Sequence, residues 1–163
     1  MTEAKQLIER AIHRILTEKH GPGAVTRRPL SVRYPVEVDA PTDYRDAIKA
    51  ARVASNVAQG LMREYARQAR GHGLTWAEIA PSLIEPDGDD YGDDPALEAF
   101  RWVAPTPSQR FDPINCSWTC QTCGEFVTDR GPYEGPWEDE TGHAETCARH
   151  LADVAAARAS WGD

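Results

Sequence analysis

Four cysteines, at positions 116, 120, 123 and 147, and two histidines, at 143 and 150, crowd into the last third of the chain. Cys120 and Cys123 form a C-x2-C turn, and Gly124 behind it relieves the tight bend. His143 and Cys147 stand four residues apart, the spacing that places two side chains on one face of a helix. The whole pattern, C-x2-C-x19-H-x3-C, offers three thiolates and one imidazole, the donor set of a tetrahedral structural zinc site. Four protein ligands leave no open position for a reactive water, so the expected role is structural. Cys116 and His150 are alternates: Cys116 could replace Cys120, and His150 could replace Cys147 or His143. The competing readings are scattered reduced thiols or a disulfide of the Cys116–Cys147 type, and cytosolic chains rarely keep disulfides. Deaminase chemistry would need His-x-Glu ahead of a Pro-Cys-x-x-Cys. Here the order is reversed and the proline is missing, which excludes it.

The stretch from about Ile114 to His150 resembles a small C2HC zinc finger, built as knuckle, β-hairpin and helix. The resemblance implies zinc on Cys120, Cys123, His143 and Cys147. Its nineteen-residue insert is longer than that of the common DNA-reading finger. The apolar residues between 111 and 140 are Phe111, Ile114, Trp118, Phe126, Val127, Tyr133 and Trp137. Such a set is too small to fold a module alone, and metal commonly supplies what is missing. Elsewhere no nucleophile–base pair, phosphate-cradling glycine loop or paired catalytic carboxylate stands out, so no enzymatic activity is expected.

The elements that must carry this site are helical. Leu7, Ile8, Ala11, Ile12, Ile15 and Leu16 form one apolar stripe and predict a helix from Thr2 to about Lys19, stopped at His20–Gly23. Val32, Tyr34, Val36 and Val38 alternate, predicting one extended segment or edge strand over 30–38, with Pro35 against a central position. Thr42 or Asp43 caps a long helix that runs to about Arg70. Its two apolar seams suit a central helix packed on more than one side. Gly71 and Gly73 then break it. Thr75 and Glu78 form a capping box for a short helix, and a second short helix spans about Pro95–Val103. Prolines 105, 107 and 113 mark a linker. A terminal alanine-rich helix is expected to dock Leu151, Val154 and Ala155, with Leu151 or Trp161 reaching the first domain.

The segment from Ala66 to Ala80, with Leu74, Trp76 and Ile79 as its buried positions and Thr75 as cap, resembles the opening of a helix-turn-helix. It is of the sort found in sigma-factor region 4 and winged-helix regulators. The resemblance implies a DNA-associated regulator of transcription, but the following helix departs from the pattern, carrying Asp93, Asp94 and Glu98 with a single Arg101. Phosphate contacts would fall to Arg63, Arg67 and Arg70, or to Arg27, Arg28 and Arg33.

Charge is divided unevenly along the chain. Residues 1–70 carry a net +5, residues 71–100 carry −8 without one lysine or arginine, and the remainder carries −5. Only the first part can offer phosphates a basic patch. The loop from Asp87 to Glu98 resembles an EF-hand calcium loop, with Asp at positions 1 and 3, Gly at 6 and Glu at 12. It departs at Tyr91 and Asp94. The simpler expectation is a solvated loop whose Asp93 or Asp94 caps the next helix.

Taken together, the expected fold is mainly α (α+β overall). Residues 1–107 form a helical domain with a long central helix and a helix-turn-helix-like pair. Residues 108–163 form a zinc-binding ββα-type module with a C-terminal helix. No stretch approaches the roughly 18 apolar residues of a membrane span, and no secretory signal is visible, so a cytoplasmic protein without membrane partners is expected. Two functions compete. One is a DNA-associated regulator, whose partner is DNA or a DNA-associated protein. The other is a zinc-stabilised protein-interaction module whose acidic surface imitates nucleic acid.

Overall fold

The computed structural model describes residues 3–31, 33–84, 94–105 and 113–162, apart from the side chains of residues 34, 35 and 161. The chain divides into two compact units, Met1–Gly60 and Leu61–Asp163.

In the first unit, the predicted amphipathic stripe forms α1 (Glu3–His20), with Leu16 as its buried residue. A 3₁₀ turn at Pro22–Ala24 leads into β1 (Val25–Ser31), which pairs antiparallel with β2 (Tyr34–Pro41). The register runs from Val25 opposite Pro41 to Pro29 opposite Glu37. The single extended segment expected over 30–38 is thus corrected to the tip and second arm of a hairpin. The alternation in 34–38 is real strand periodicity, but it carries no signal that β1 precedes it as an antiparallel partner. The long helix, α2 (Tyr44–Gly71), begins in this unit. Asp43 caps it, its Oδ1 accepting the Arg45 N–H at 2.7 Å, while the Thr42 hydroxyl donates instead to the Gly23 carbonyl.

In the second unit, the end of α2 is followed by α3 (Trp76–Leu83) and α4 (Pro95–Val103). The Thr75 hydroxyl accepts the Glu78 N–H while the Glu78 carboxylate accepts the Thr75 N–H, closing the expected capping box. Asp94 caps α4 by accepting from the Ala96 and Leu97 N–H groups. Residues 85–93, and with them most of the calcium-like loop, lie outside the described residues, as does the linker at 106–112.

A three-stranded antiparallel sheet follows, ordered β3 (Cys116–Thr119), β4 (Phe126–Asp129) and β5 (Glu140–Thr141), with the short α5 (Pro136–Asp139) before β5. The chain closes with α6 (Ala148–Trp161). One core runs through all of this: Trp76, Ile79, Ala99, Phe100 and Val103 pack with Cys116, Trp118, Cys120, Val127 and Cys147. The buried cluster thus draws side chains from both sides of 107/108. The apolar set of the cysteine-bearing segment is small because Phe100, Val103 and Trp76 complete it. Leu74, expected in the core, is 42% exposed.

α2 ends where it meets the sheet. A Cβ on Gly71 would lie 2.5 Å from the Thr119 carbonyl oxygen, so only glycine permits this approach. The Gln121 N–H donates to the Gly71 carbonyl across the same contact, at 3.0 Å.

Candidate metal centre

The four residues picked out by spacing converge. The donor atoms of Cys120, Cys123, His143 and Cys147 all lie within 4.8 Å of one another. The Cys120 and Cys147 sulfurs are 3.9 Å apart, and Cys123 Sγ stands 3.7 Å from His143 Nδ1. A tetrahedral ion with metal–sulfur bonds of about 2.3 Å has sulfur–sulfur edges of about 3.8 Å, so the donors already stand at the spacing such an ion requires. The residues fit a metal ion, which would cross-link the knuckle to the start of α6.

Local structure sets each ligand. Cys120 and Cys123 sit in a tight turn whose Gly124 N–H donates to the Cys120 carbonyl at 2.8 Å, while the Cys120 N–H donates to the Glu125 carbonyl at 2.9 Å. Cys147 is the residue on which α6 begins. Backbone N–H groups of Ala144 and Glu125, with His143, hold the Cys123 thiol down to about 6, so it is a ready thiolate. Burial pushes Cys147 upward, and an ion at this point would reverse that by stabilising the thiolate.

The alternates fall away. Cys116 is buried on β3 outside the cluster, and burial together with the Asp129 charge pushes its thiol up to about 12. A thiol so disfavoured as thiolate makes a poor ligand. His150 stacks on the His143 ring, centroids 4.5 Å apart, and burial followed by the His143 charge lowers its pKa. It does form a second close group with Glu140 and His143, but that group borrows an imidazole from the first.

Sequence reasoning missed what holds His143. Its Nε2 lies 2.8 Å from Glu140 Oε2, which leaves Nδ1 facing the sulfurs. A carboxylate behind a ligating histidine fixes ring and tautomer. The other oxygen of Glu140 accepts from Arg70 Nη2. Arg70 in turn donates from Nε to Asp129 Oδ2 at 3.2 Å, and its guanidinium lies between the rings of Trp76 and Trp118, at 5.4 and 5.3 Å. The same Asp129 oxygen accepts the indole N–H groups of Trp76 at 3.0 Å and Trp118 at 3.3 Å. Asp129 Oδ1 accepts from the Gly131 N–H. A buried charge is tolerable only when paired and fully hydrogen-bonded, and here both conditions hold. The sole sequence hint was the Glu140-x-x-His143 spacing. Nothing local joins Arg70 to Asp129.

The arginines proposed for DNA are mostly engaged elsewhere. Arg70 is 6% exposed and serves the core, so it offers a phosphate nothing; that assignment is corrected. Arg63 donates to the Trp102 carbonyl and lies over the Trp102 ring at 5.3 Å. Arg67 pairs with Glu64 at 3.3 Å. In the first unit, Arg27 faces Glu37 and Asp39 at 3.8 and 3.7 Å, while Arg28 and Arg33 are exposed.

α6 is anchored by its polar residues. Arg149 lies over the Trp118 ring at 4.8 Å and within 3.6 Å of Glu140, and Arg158 lies over Trp137 at 5.8 Å. Leu151, expected to dock on the first domain, is 54% exposed; the Trp161 side chain lies outside the described residues.

No family of known proteins, curated protein or solved structure matches this chain. Function must be argued from the site. Among the described residues no helix is long and apolar enough to cross a membrane.

Proposed function

We propose that residues 61–163 form a zinc-stabilised protein-interaction module without catalytic activity. The observation that supports it is a Cys3His donor set whose four ligands leave no coordination position for substrate or water. Three thiolates and an imidazole favour zinc over harder cations, which prefer oxygen. Bound there, the ion supplies a cross-link between the knuckle and α6. Cys120, Cys123, His143 and Cys147 hold it, Glu140 orients His143, and the shared core carries that order to α3 and α4.

The protein-partner reading stands ahead of the DNA reading because Arg70 is buried in the core network and Arg63 and Arg67 already carry surface contacts to Trp102 and Glu64. The DNA-associated reading keeps one specific support, the exposed Arg28 and Arg33.

Elemental analysis of protein purified under reducing conditions should give one zinc per chain, and absence of metal would overturn the assignment. Titration with duplex DNA at low salt should show no saturable binding. Binding whose log–log salt slope scales with several phosphate contacts would restore DNA as the partner.

A further inference from the structure

Along α2, apolar or small residues recur at alternating steps of four and three: Tyr44, Ile48, Ala51, Ser55, Ala58, Met62 and Tyr65. A straight helix drifts about 20° per heptad from such a repeat, so a seam this strict keeps one face only when the helix winds on another. No element among the described residues covers it. Tyr44, Ile48 and Tyr65 are 61–64% exposed, Met62 is 36% exposed, and Ser55 and Ala58 are exposed between them.

Three observations say what the missing helix is. The seam reads the same in both directions: large residues at each end, small ones at the centre. Turned about Ser55, Tyr44 falls opposite Tyr65, Ile48 opposite Met62 and Ala51 opposite Ala58, so the face is complementary to itself, as a two-fold contact requires. Beside its C-terminal end, an apolar cavity of about 290 Å³ opens between α2 and α3, lined by Met62, Tyr65, Ala69, Leu74, Ile79 and Leu83. The same register carries a partner's Tyr44 and Ile48 to that cavity, as knobs into a hole. Charge chooses the direction. Residues 1–60 hold 10 bases against 7 acids, and residues 61–163 hold 8 against 19. Parallel pairing would set two acidic units side by side, whereas antiparallel pairing sets each beside the partner's basic unit.

We infer that α2 pairs antiparallel with α2 of a second copy of this chain. The inference goes beyond the interaction-module reading, since α2 carries none of the metal ligands. The contact runs from Tyr44 to Tyr65, about 33 Å of helix, and the small residues at Ala51, Ser55 and Ala58 let the two axes approach closely at its centre.

The test uses the zinc-loaded full chain. Sedimentation equilibrium should show a reversible monomer–dimer exchange in the micromolar range. Ile48→Glu and Tyr65→Glu should each raise the dissociation constant roughly tenfold or more, because the two-fold axis places every substitution in the contact twice. Asn56→Glu, on the same helix but off the seam, should leave it unchanged. Benzoylphenylalanine in place of Tyr44 should, on irradiation, give adducts of dimer mass that map to residues 62–69 of the other copy. Adducts at residues 44–48 would mean parallel chains and overturn the register. A chain that stays monomeric up to millimolar concentration, or a dimer that Ile48→Glu leaves intact, would overturn the inference, and the first of these would leave the seam to a helix of a different protein. Zinc content and the far-UV spectrum of each sample report folding and the metal site separately, so a folded, metal-loaded monomer sinks this inference alone.

Discussion

The two units differ in how they bury what they have. Among the described residues of Met1–Gly60 the buried apolar ones are Leu16 and Ala50, while Leu7, Ile8, Ile48 and Val57 are each more than half exposed. In Leu61–Asp163 a contiguous core joins three helices to a sheet, and a four-ligand site and a buried ionic network stand within it. The first unit is held by helix formation and a hairpin, with marginal burial behind them. The second has burial, charge pairing and a Cys3His cluster able to hold a metal ion, acting on one another. Stability and chemistry therefore concentrate in the second unit, and perturbations should separate the two.

Metal removal should have the largest effect. Chelation, or Cys147→Ser, should abolish cooperative unfolding of residues 61–163, because structural zinc typically supplies much of a small domain's folding free energy. Since α3 and α4 share the core with the ligands, their helicity should fall with the sheet, whereas α1 should persist. Residue-resolved hydrogen exchange checks this. Survival of α3 and α4 in the chelated protein would divide the second unit where this structure does not.

Next in size, Arg70→Met leaves Asp129 as a buried acid without its cation and Glu140 with only His143 and the longer Arg149 contact. Breaking a buried pair from one side costs about 3–5 kcal/mol. Denaturant unfolding should show that loss in the second unit only, and metal affinity should fall as well, since Glu140 holds His143.

Cys116 sharpens the comparison through pH. Its folded thiol titrates at about 12, above the ordinary value of 9.0. The protonated form is thus favoured by folding. Its contribution is intact below pH 9 and is lost as pH rises from 9 toward 12, on the order of a few kcal/mol at the upper end. Cys116→Ala should flatten that alkaline decline in unfolding experiments, and alkylation of native protein at pH 8 should spare Cys116.

The smallest effect belongs to the first unit. Ile48 is 64% exposed, so at concentrations where the α2 pair is dissociated Ile48→Ser should change stability by no more than about 0.5 kcal/mol. A loss of 2 kcal/mol or more in thermal unfolding of that dilute protein would mean that this face is covered within one chain.

How much of this could be read from the sequence depended on distance along the chain. The ligands were legible because Cys120 with Cys123, and His143 with Cys147, announce themselves within four residues of each other. The Thr75–Glu78 capping box and the break after Arg70 were legible for the same reason. The hairpin was half legible, since strand alternation in β2 carries no mark of its pairing with β1. The core was the least legible. Arg70 and Asp129 are 59 positions apart, and their charges looked like solvated surface until Trp76 and Trp118 closed around them. The mixed origin of the core was hidden for a related reason. A change of composition marks where residue types change, and here one core takes its side chains from both compositions.

Gly71 has a consequence for sequence variation. In a saturation library scored by folding, position 71 should admit no other residue, because even alanine would drive its methyl into the Thr119 carbonyl. Gly60, on the same helix with nothing within 4 Å of its would-be side chain, should accept most residues. Two glycines that look alike in sequence would then show opposite tolerance. That contrast offers a genetic test of how α2 meets the sheet, read from survivors alone.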